Sequence, residues 1–237
     1  MKKILPYIYI AVAVVVVVFI FIKIKEFYEK DDACEPCEKP TNGTETAIVS
    51  EKKHDADILK QVVYAGCQMQ GKAKILVSDE DARNGMITTI LNARGITAKD
   101  ESRWGKSPSG KRAGEIDIKI ENSDGLTKNI CEGLDLAYLD KNKISTHLEK
   151  IFTYDVNGLA KNFVLIYSEV KKFSTFWEKY KDYVGAYNFK YKAVSLKDIS
   201  KESSCGTEVK IAVSEHYRSG VTLELYHVCI NMCGTKA

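Results

Sequence analysis

Between Glu115 and Ile120 the chain alternates strictly between charged and apolar residues: Glu115-Ile116-Asp117-Ile118-Lys119-Ile120. A period of two is the signature of a half-buried β-strand. It predicts that Ile116, Ile118 and Ile120 face a core while Glu115, Asp117 and Lys119 occupy the opposite face. Asn122-Ser123-Asp124-Gly125 supplies turn chemistry, and a second strand follows from Thr127 to Glu132. The expectation is a hairpin whose far end brings the Glu132 carboxylate beside Asp117. Upstream, the glycine-punctuated stretch Arg103 to Arg112 carries Arg103, Lys106, Lys111 and Arg112 and no acid. That local charge matters because the net charge of +3 over 237 residues is too mild to argue for nucleic acid by itself.

A chain of this length, 45% hydrophobic, buries one good core. Around the hairpin, the pattern predicts a helix over Asp57–Met69 ending near Gly71, and a small strand at Lys74–Val77. Ser78-Asp79-Glu80-Asp81 reads as a capping box opening a helix that runs to Arg94 and stops at Gly95. Met86, Ile87, Ile90 and Leu91 form its core stripe. Beyond Glu132, Ser145 is expected to cap a helix containing His147, Leu148, Ile151 and Phe152. Asn162–Tyr167 reads as a buried strand. Lys171–Tyr183 reads as an amphipathic helix whose Phe173, Phe176, Trp177 and Tyr180 pack inward. Lys210–Val213 and Val221–Cys229 read as late strands around a Ser219-Gly220 turn. The fold class is therefore α/β, a mixed central sheet flanked by helices.

The N-terminus has a different character. Ile4 to Ile22 is an uninterrupted apolar run, and at about 1.5 Å per residue it reaches roughly 29 Å, enough to cross a hydrocarbon core. No small-residue cleavage site follows it. The expected organisation is a transmembrane anchor at 1–22, a flexible polar linker at 23–56 and a soluble domain at 57–237. Flanking lysines are nearly balanced (Lys2 and Lys3 against Lys23, Lys25 and Lys30). Seven cysteines with no regular framework favour a reducing compartment, hence an inner-membrane protein with a cytoplasmic domain. Cys34-Glu35-Pro36-Cys37 has metal-ligand spacing, and His54 and Cys67 could complete a zinc site, but a lone CxxC reads first as inert thiols, with zinc or a redox or intermolecular disulfide as the alternatives.

Phosphodiester hydrolysis requires a cation that activates water and neutralises the leaving oxygen, and Mg²⁺ needs only two or three carboxylates. Asp117 and Glu132 can supply them, with Glu115 on the same face two residues before Asp117. Lys111, Lys119 or Lys128 could orient the nucleophile, and Arg103, Lys106 and Arg112 could contact phosphates.

Gly114-Glu115-Ile116-Asp117-Ile118, thirteen further residues, then Glu132 resembles the divided core of the PD-(D/E)xK, restriction-endonuclease-like nucleases. There an acid ending one strand is followed by an acid-x-lysine on the next. A bacterial, phage-defence-associated branch, often found beside NTPases, is resembled by several pieces in order: Arg103 to Lys111, Gly114 to Asp117, Ile144-x-x-His147-Leu148-x-Lys150, Tyr154-Asp155-x-Asn157-Gly158 and Tyr226-His227-Val228-x-Ile230-Asn231. The resemblance implies a DNA endonuclease using Mg²⁺ or Mn²⁺, with Asp117 and Glu132 as metal ligands, Glu115 as accessory acid and His147 in reserve. It allows a regulatory NTPase or sensor as partner, and self-association. Leu134 departs from the pattern, which expects lysine there. Either the lysine has moved, Lys111 being first choice, or the domain tethers nucleic acid or a complex without cutting. An extracytoplasmic interaction domain is the remaining alternative.

Overall fold

Ile58, Val62, Ala65 and Met69 recur at helical spacing, and all four are buried on one side of the first described helix, α1 (residues 58–70). This computed structural model describes residues 58–72, 79–104, 114–202 and 206–233, all within the unit Lys53–Ala237. The anchor and linker, the Cys34–Cys37 pair and the strand expected at Lys74–Val77 lie outside the described residues, as do Lys106, Lys111 and Arg112. Among the described residues no helix is long and apolar enough to cross a membrane.

Helix α2 spans Glu80–Ala93. Its N-cap is Asp79, whose side chain accepts from the Ala82 N–H at 3.0 Å, and Glu80 and Asp81 occupy the first turn. Gly95, at φ +80°, turns the chain out of the helix. The chain then forms β1 (Thr97–Trp104), β2 (Gly114–Glu121) and β3 (Thr127–Leu136), followed by α3 (Lys141–Tyr154), β4 (Lys161–Ser168) and α4 (Phe173–Gly185). It closes with β5 (Ala193–Asp198), a short 3-10 turn at Ser200–Glu202, β6 (Val209–Arg218) and β7 (Val221–Asn231).

The strands make one seven-stranded sheet in the order β1-β2-β3-β4-β7-β6-β5. β4 runs parallel to β3 on one side and to β7 on the other, and the remaining pairs are antiparallel. A parallel β3–β4 pair needs a crossover, and α3 provides it. The parallel centre is buried on both faces, and its strands are accordingly almost continuously apolar. α1 and α2 cover one face, packing Val62, Ile87 and Leu91 on Ile118, Cys131, Leu165 and Val228. α3 and α4 cover the other, packing Ile144, Leu148, Phe176 and Trp177 on Leu134, Val164, Ile166 and Cys229.

Four expectations change. β3 does not stop at Glu132: Leu134 and Leu136 pair with Ile166 and Ser168 of β4, so the parallel neighbour carries the strand onward. α3 begins earlier than Ser145 suggested, because Asp140 is its N-cap and accepts from the N–H groups of Asn142 and Lys143. Ser145 instead donates to the Asn142 carbonyl. β5 went unread, since it is an edge strand with little burial and an exposed Val194. Finally, the isoleucines of β2 do not share one face. Ile118 and Ile120 join the α1/α2 side, whereas Ile116 joins the α3/α4 side. The change coincides with the end of β2–β3 pairing at Ile118–Cys131.

Within the α3/α4 face runs a fully buried polar chain. Tyr180 Oη lies 2.9 Å from His227 Nδ1, and Ser214 Oγ lies 3.0 Å from His227 Nε2 and 2.7 Å from His216 Nε2. His216 Nδ1 faces the Tyr191 carbonyl at 2.9 Å. That carbonyl can only accept, so His216 Nδ1 carries the proton, and each remaining proton follows if both imidazoles are neutral. Burial depresses both histidines, His227 to about 3.

Candidate metal centre

At Asp117 the β2–β3 ladder has stopped, and the side chain replaces it. Asp117 Oδ2 accepts a 2.7 Å hydrogen bond from the Gly133 N–H of β3. Gly133 is required by what lies above it. A Cβ there would meet Asn84 Oδ1 at 2.3 Å and Nδ2 at 2.7 Å, so α2 rests directly on the β3 backbone. Asn84 is fixed in turn by accepting from the Tyr167 hydroxyl at 2.7 Å. Glu80 lies four residues before Asn84, on the same side of α2, and the close approach brings it to the site.

Three further contacts hold Glu80 and its helix. Glu80 Oε2 accepts from the Asp135 N–H at 3.0 Å and from Lys143 Nζ at 2.9 Å. The buried Arg83 guanidinium bridges Asp135 and Glu169, both at 2.6 Å. Burial works against the Glu80 charge, but the Asp135 N–H and Lys143 overcome it and hold its pKa below the usual value.

Glu132 follows Cys131 on β3 and points to the opposite face, beneath α3. Its side chain is fully buried, and neither carboxylate oxygen has a hydrogen-bond partner among the described residues. Glu132 Oε2 lies 3.6 Å from His147 Nδ1 and 3.5 Å from Lys150 Nζ, two groups three residues apart on α3. His147 Nδ1 is also buried without a hydrogen bond. Burying a polar group without a hydrogen bond costs on the order of 1–3 kcal/mol.

Titration follows from this geometry. Burial, then the charge of Glu132, pushes Asp117 up to about 7. Burial pushes Glu132 up to about 8, with Lys150 opposing. Burial, then Lys150, lowers His147 to about 4, so its ring is neutral. Burial disfavours the Lys150 ammonium, yet Glu132 and Asp117 hold it charged and raise its pKa.

One ligand atom each from Glu80, Asp117 and His147 lies within 4.8 Å of the others. Their donor chemistry, together with the orphaned oxygens of Glu132, fits a divalent cation. The fold sets Asp117 beside Glu132, but the ligand atoms it groups are those of Asp117, Glu80 and His147, the residue held in reserve, and Glu132 contributes none to that group. Glu115 stands exposed, linked through its backbone to Tyr154. Arg103 lies on β1 in register with Glu115. Lys119 pairs with Glu121 at 2.6 Å instead of addressing Asp117. Sequence reasoning missed Glu80, read only as a first-turn acid, and Lys150. The spacing of His147 and Lys150 was the available signal, since residues i and i+3 share a helix face.

Cys131, Cys229 and Cys233 are free, whereas Cys67 on α1 is disulfide-bonded, which departs from uniformly inert thiols. Comparison of the chain with protein-family models, with curated proteins and with solved structures gives no match.

Proposed function

We propose that this chain is a metal-dependent DNA endonuclease of PD-(D/E)xK type, anchored to the inner membrane by its N-terminal apolar run and acting in bacterial anti-phage defence under a gating partner. The supporting observation is Glu132: a fully buried carboxylate that shares its surroundings with Asp117 and His147 and has Lys150 at 3.5 Å as its counter-charge. Acids on consecutive strands match the resemblance, and Leu134 has a physical reading. Its side chain is buried in the α3-side core, where an ammonium would be expensive. Lys150 reaches the same acid from the covering helix.

In this mechanism Asp117, with Glu80 and His147, would hold the cation, and Glu132 would stand against His147 and complete the negative charge. When bound, the cation lowers the pKa of a water and offsets negative charge on the scissile phosphate. Asp117 is kept in place by the Gly133 N–H. Lys150 keeps its proton and would offer a fixed positive charge to the scissile phosphate as it gains negative charge in a pentacoordinate transition state. Arg103, Lys106 and Arg112 would contact the DNA backbone. An anchored nuclease without a gate would damage its host, which is the motive for a regulatory NTPase or sensor.

The test incubates the full-length chain with supercoiled plasmid in Mg²⁺, Mn²⁺ or EDTA, beside Asp117→Ala and Glu132→Ala. Any nicking is expected to require the metal and to be lost in both variants, and strong nicking with no partner present would argue against the gate. Nicking that survives both substitutions would sink the assignment. One observation favours a second reading: a disulfide at Cys67 suits an oxidising compartment, hence an extracytoplasmic interaction domain. Thiol labelling of intact against permeabilised cells separates the two, because a cytoplasmic domain is labelled only after permeabilisation.

A further inference from the structure

The cation site contains a nitrogen, and nitrogen is selective. Glu80, Asp117 and His147 arrive from α2, β2 and α3, and one ligand atom of each lies within 4.8 Å of the others. Two separate observations point to a missing ligand there. His147 is only 6% exposed, and its Nδ1 has no hydrogen-bond partner. Glu132, fully buried and paired with Lys150 at 3.5 Å, directs the same carboxylate oxygen to within 3.6 Å of that nitrogen. Glu80 is prepared as well. Both of its donors fall on Oε2, leaving Oε1 without a hydrogen bond among the described residues.

Mg²⁺ takes oxygen ligands in a near-ideal octahedron and retains several waters, so a buried imidazole contributes little to it. First-row transition metals accept imidazole readily, and Mn²⁺ combines that tolerance with a liking for carboxylates. We propose that Glu80, Asp117 and His147 form a mixed nitrogen–oxygen centre that selects Mn²⁺, or a neighbouring first-row dication, over Mg²⁺, with His147 as the selecting ligand. Glu132 lies against the nitrogen member and completes the negative charge of the site. The inference rests on the metal-dependent reading above and adds the identity of the metal.

The experiment measures binding of Mn²⁺ alone and Mg²⁺ alone to the full-length chain by calorimetry, with His147→Gln and Glu80→Gln alongside. Pulsed electron paramagnetic resonance of the Mn²⁺-loaded chain is recorded in parallel. The wild type is expected to bind Mn²⁺ at least about tenfold more tightly than Mg²⁺. His147→Gln should abolish that preference while changing Mg²⁺ affinity only slightly, and Glu80→Gln should weaken both metals. The Mn²⁺ signal of the wild type should carry an imidazole-nitrogen coupling that His147→Gln removes. Equal affinities in the wild type, or no nitrogen coupling, would overturn the proposal. Should His147→Gln fail to fold by circular dichroism, the wild-type coupling decides alone. Failure of the nuclease reading looks different: selective Mn²⁺ binding without plasmid cleavage. Failure of the present inference would leave metal-dependent cleavage with no metal preference.

Discussion

Asp117 Oδ2 receives the Gly133 N–H at 2.7 Å, so one side chain both terminates the β2–β3 ladder and presents a carboxylate to the cation site. The two roles separate by substitution. Asp117→Asn retains an acceptor for Gly133, so its melting temperature should stay near that of the wild type while Mn²⁺ binding and cleavage are lost. Asp117→Leu leaves that N–H unsatisfied and should cost about 1–3 kcal/mol in denaturant unfolding. Equal stability of the two variants would refute the dual role.

Two carboxylates that titrate at about 7 and about 8 make the metal-free chain sensitive to alkali. Their folded pKa values exceed the unfolded ones. The stability they confer is therefore complete below about pH 4 and lost as the pH rises through 7 and 8. The metal-free melting temperature should fall over that window, and Glu132→Gln should flatten the fall. Metal binding should restore it while releasing protons. Calorimetry at pH 7 in buffers of different ionisation enthalpy counts those protons, and a count of zero would contradict the raised pKa values.

Lys150 should act in opposite directions on binding and turnover. Removing its ammonium from 3.5 Å beside Glu132 lowers the positive charge that competes with a cation. Lys150→Ala is expected to bind Mn²⁺ a few-fold more tightly, yet to lose about 10²–10³ in kcat if it stabilises transition-state charge. Weaker metal binding together with unchanged kcat would assign Lys150 to the support of Glu132 alone.

Gly133→Ala places a Cβ against Asn84 and must lift α2 from β3. A cost of about 1–3 kcal/mol is expected, along with weaker metal binding because Glu80 moves with the helix. Adding Asn84→Ala should recover part of both losses. A double variant no better than the single would show that the strain lies elsewhere.

His227 supplies the acid limb. Burial lowers its folded pKa to about 3, below the unfolded value. Stability is therefore present above about pH 6.5 and lost as the pH falls towards 3, amounting to roughly 2 kcal/mol at pH 5. Thermal melts from pH 7 to 4 measure this limb, and His227→Gln should reduce its slope.

The parts of the fold that could be read from the sequence are those whose signals are local. The alternation around Asp117, the capping stretch Ser78–Asp81 and the aromatic stripe of Phe173, Phe176, Trp177 and Tyr180 each preceded the expected element, with Asp79 serving as the cap. Misreadings occurred where a distant partner decides. Leu134 extends β3 because β4 lies beside it, and β5 exists only as an edge to β6. The site divides in the same way. Asp117 and Glu132 sit on neighbouring strands and were legible from spacing. Glu80 meets the backbone of Asp135 across 55 residues, and nothing near Glu80 announces that contact. Lys150 was hidden differently, since its role depends on which face of α3 covers β3.

The order in which the cation site's residues emerge during synthesis has a consequence for the cell that makes this protein. Glu80, Asp117 and Glu132 are all translated before α3, yet His147, Lys150 and the Lys143 that steadies Glu80 all belong to α3. A nascent chain halted before that helix carries three acids and none of their counter-charges, with Leu134 and Leu136 uncovered. It can neither hold the ammonium at Glu132 nor close the crossover to β4. Chains cut short before α3 therefore carry the acids without the groups that neutralise and cover them, and a complete crossover is the condition for an assembled cluster.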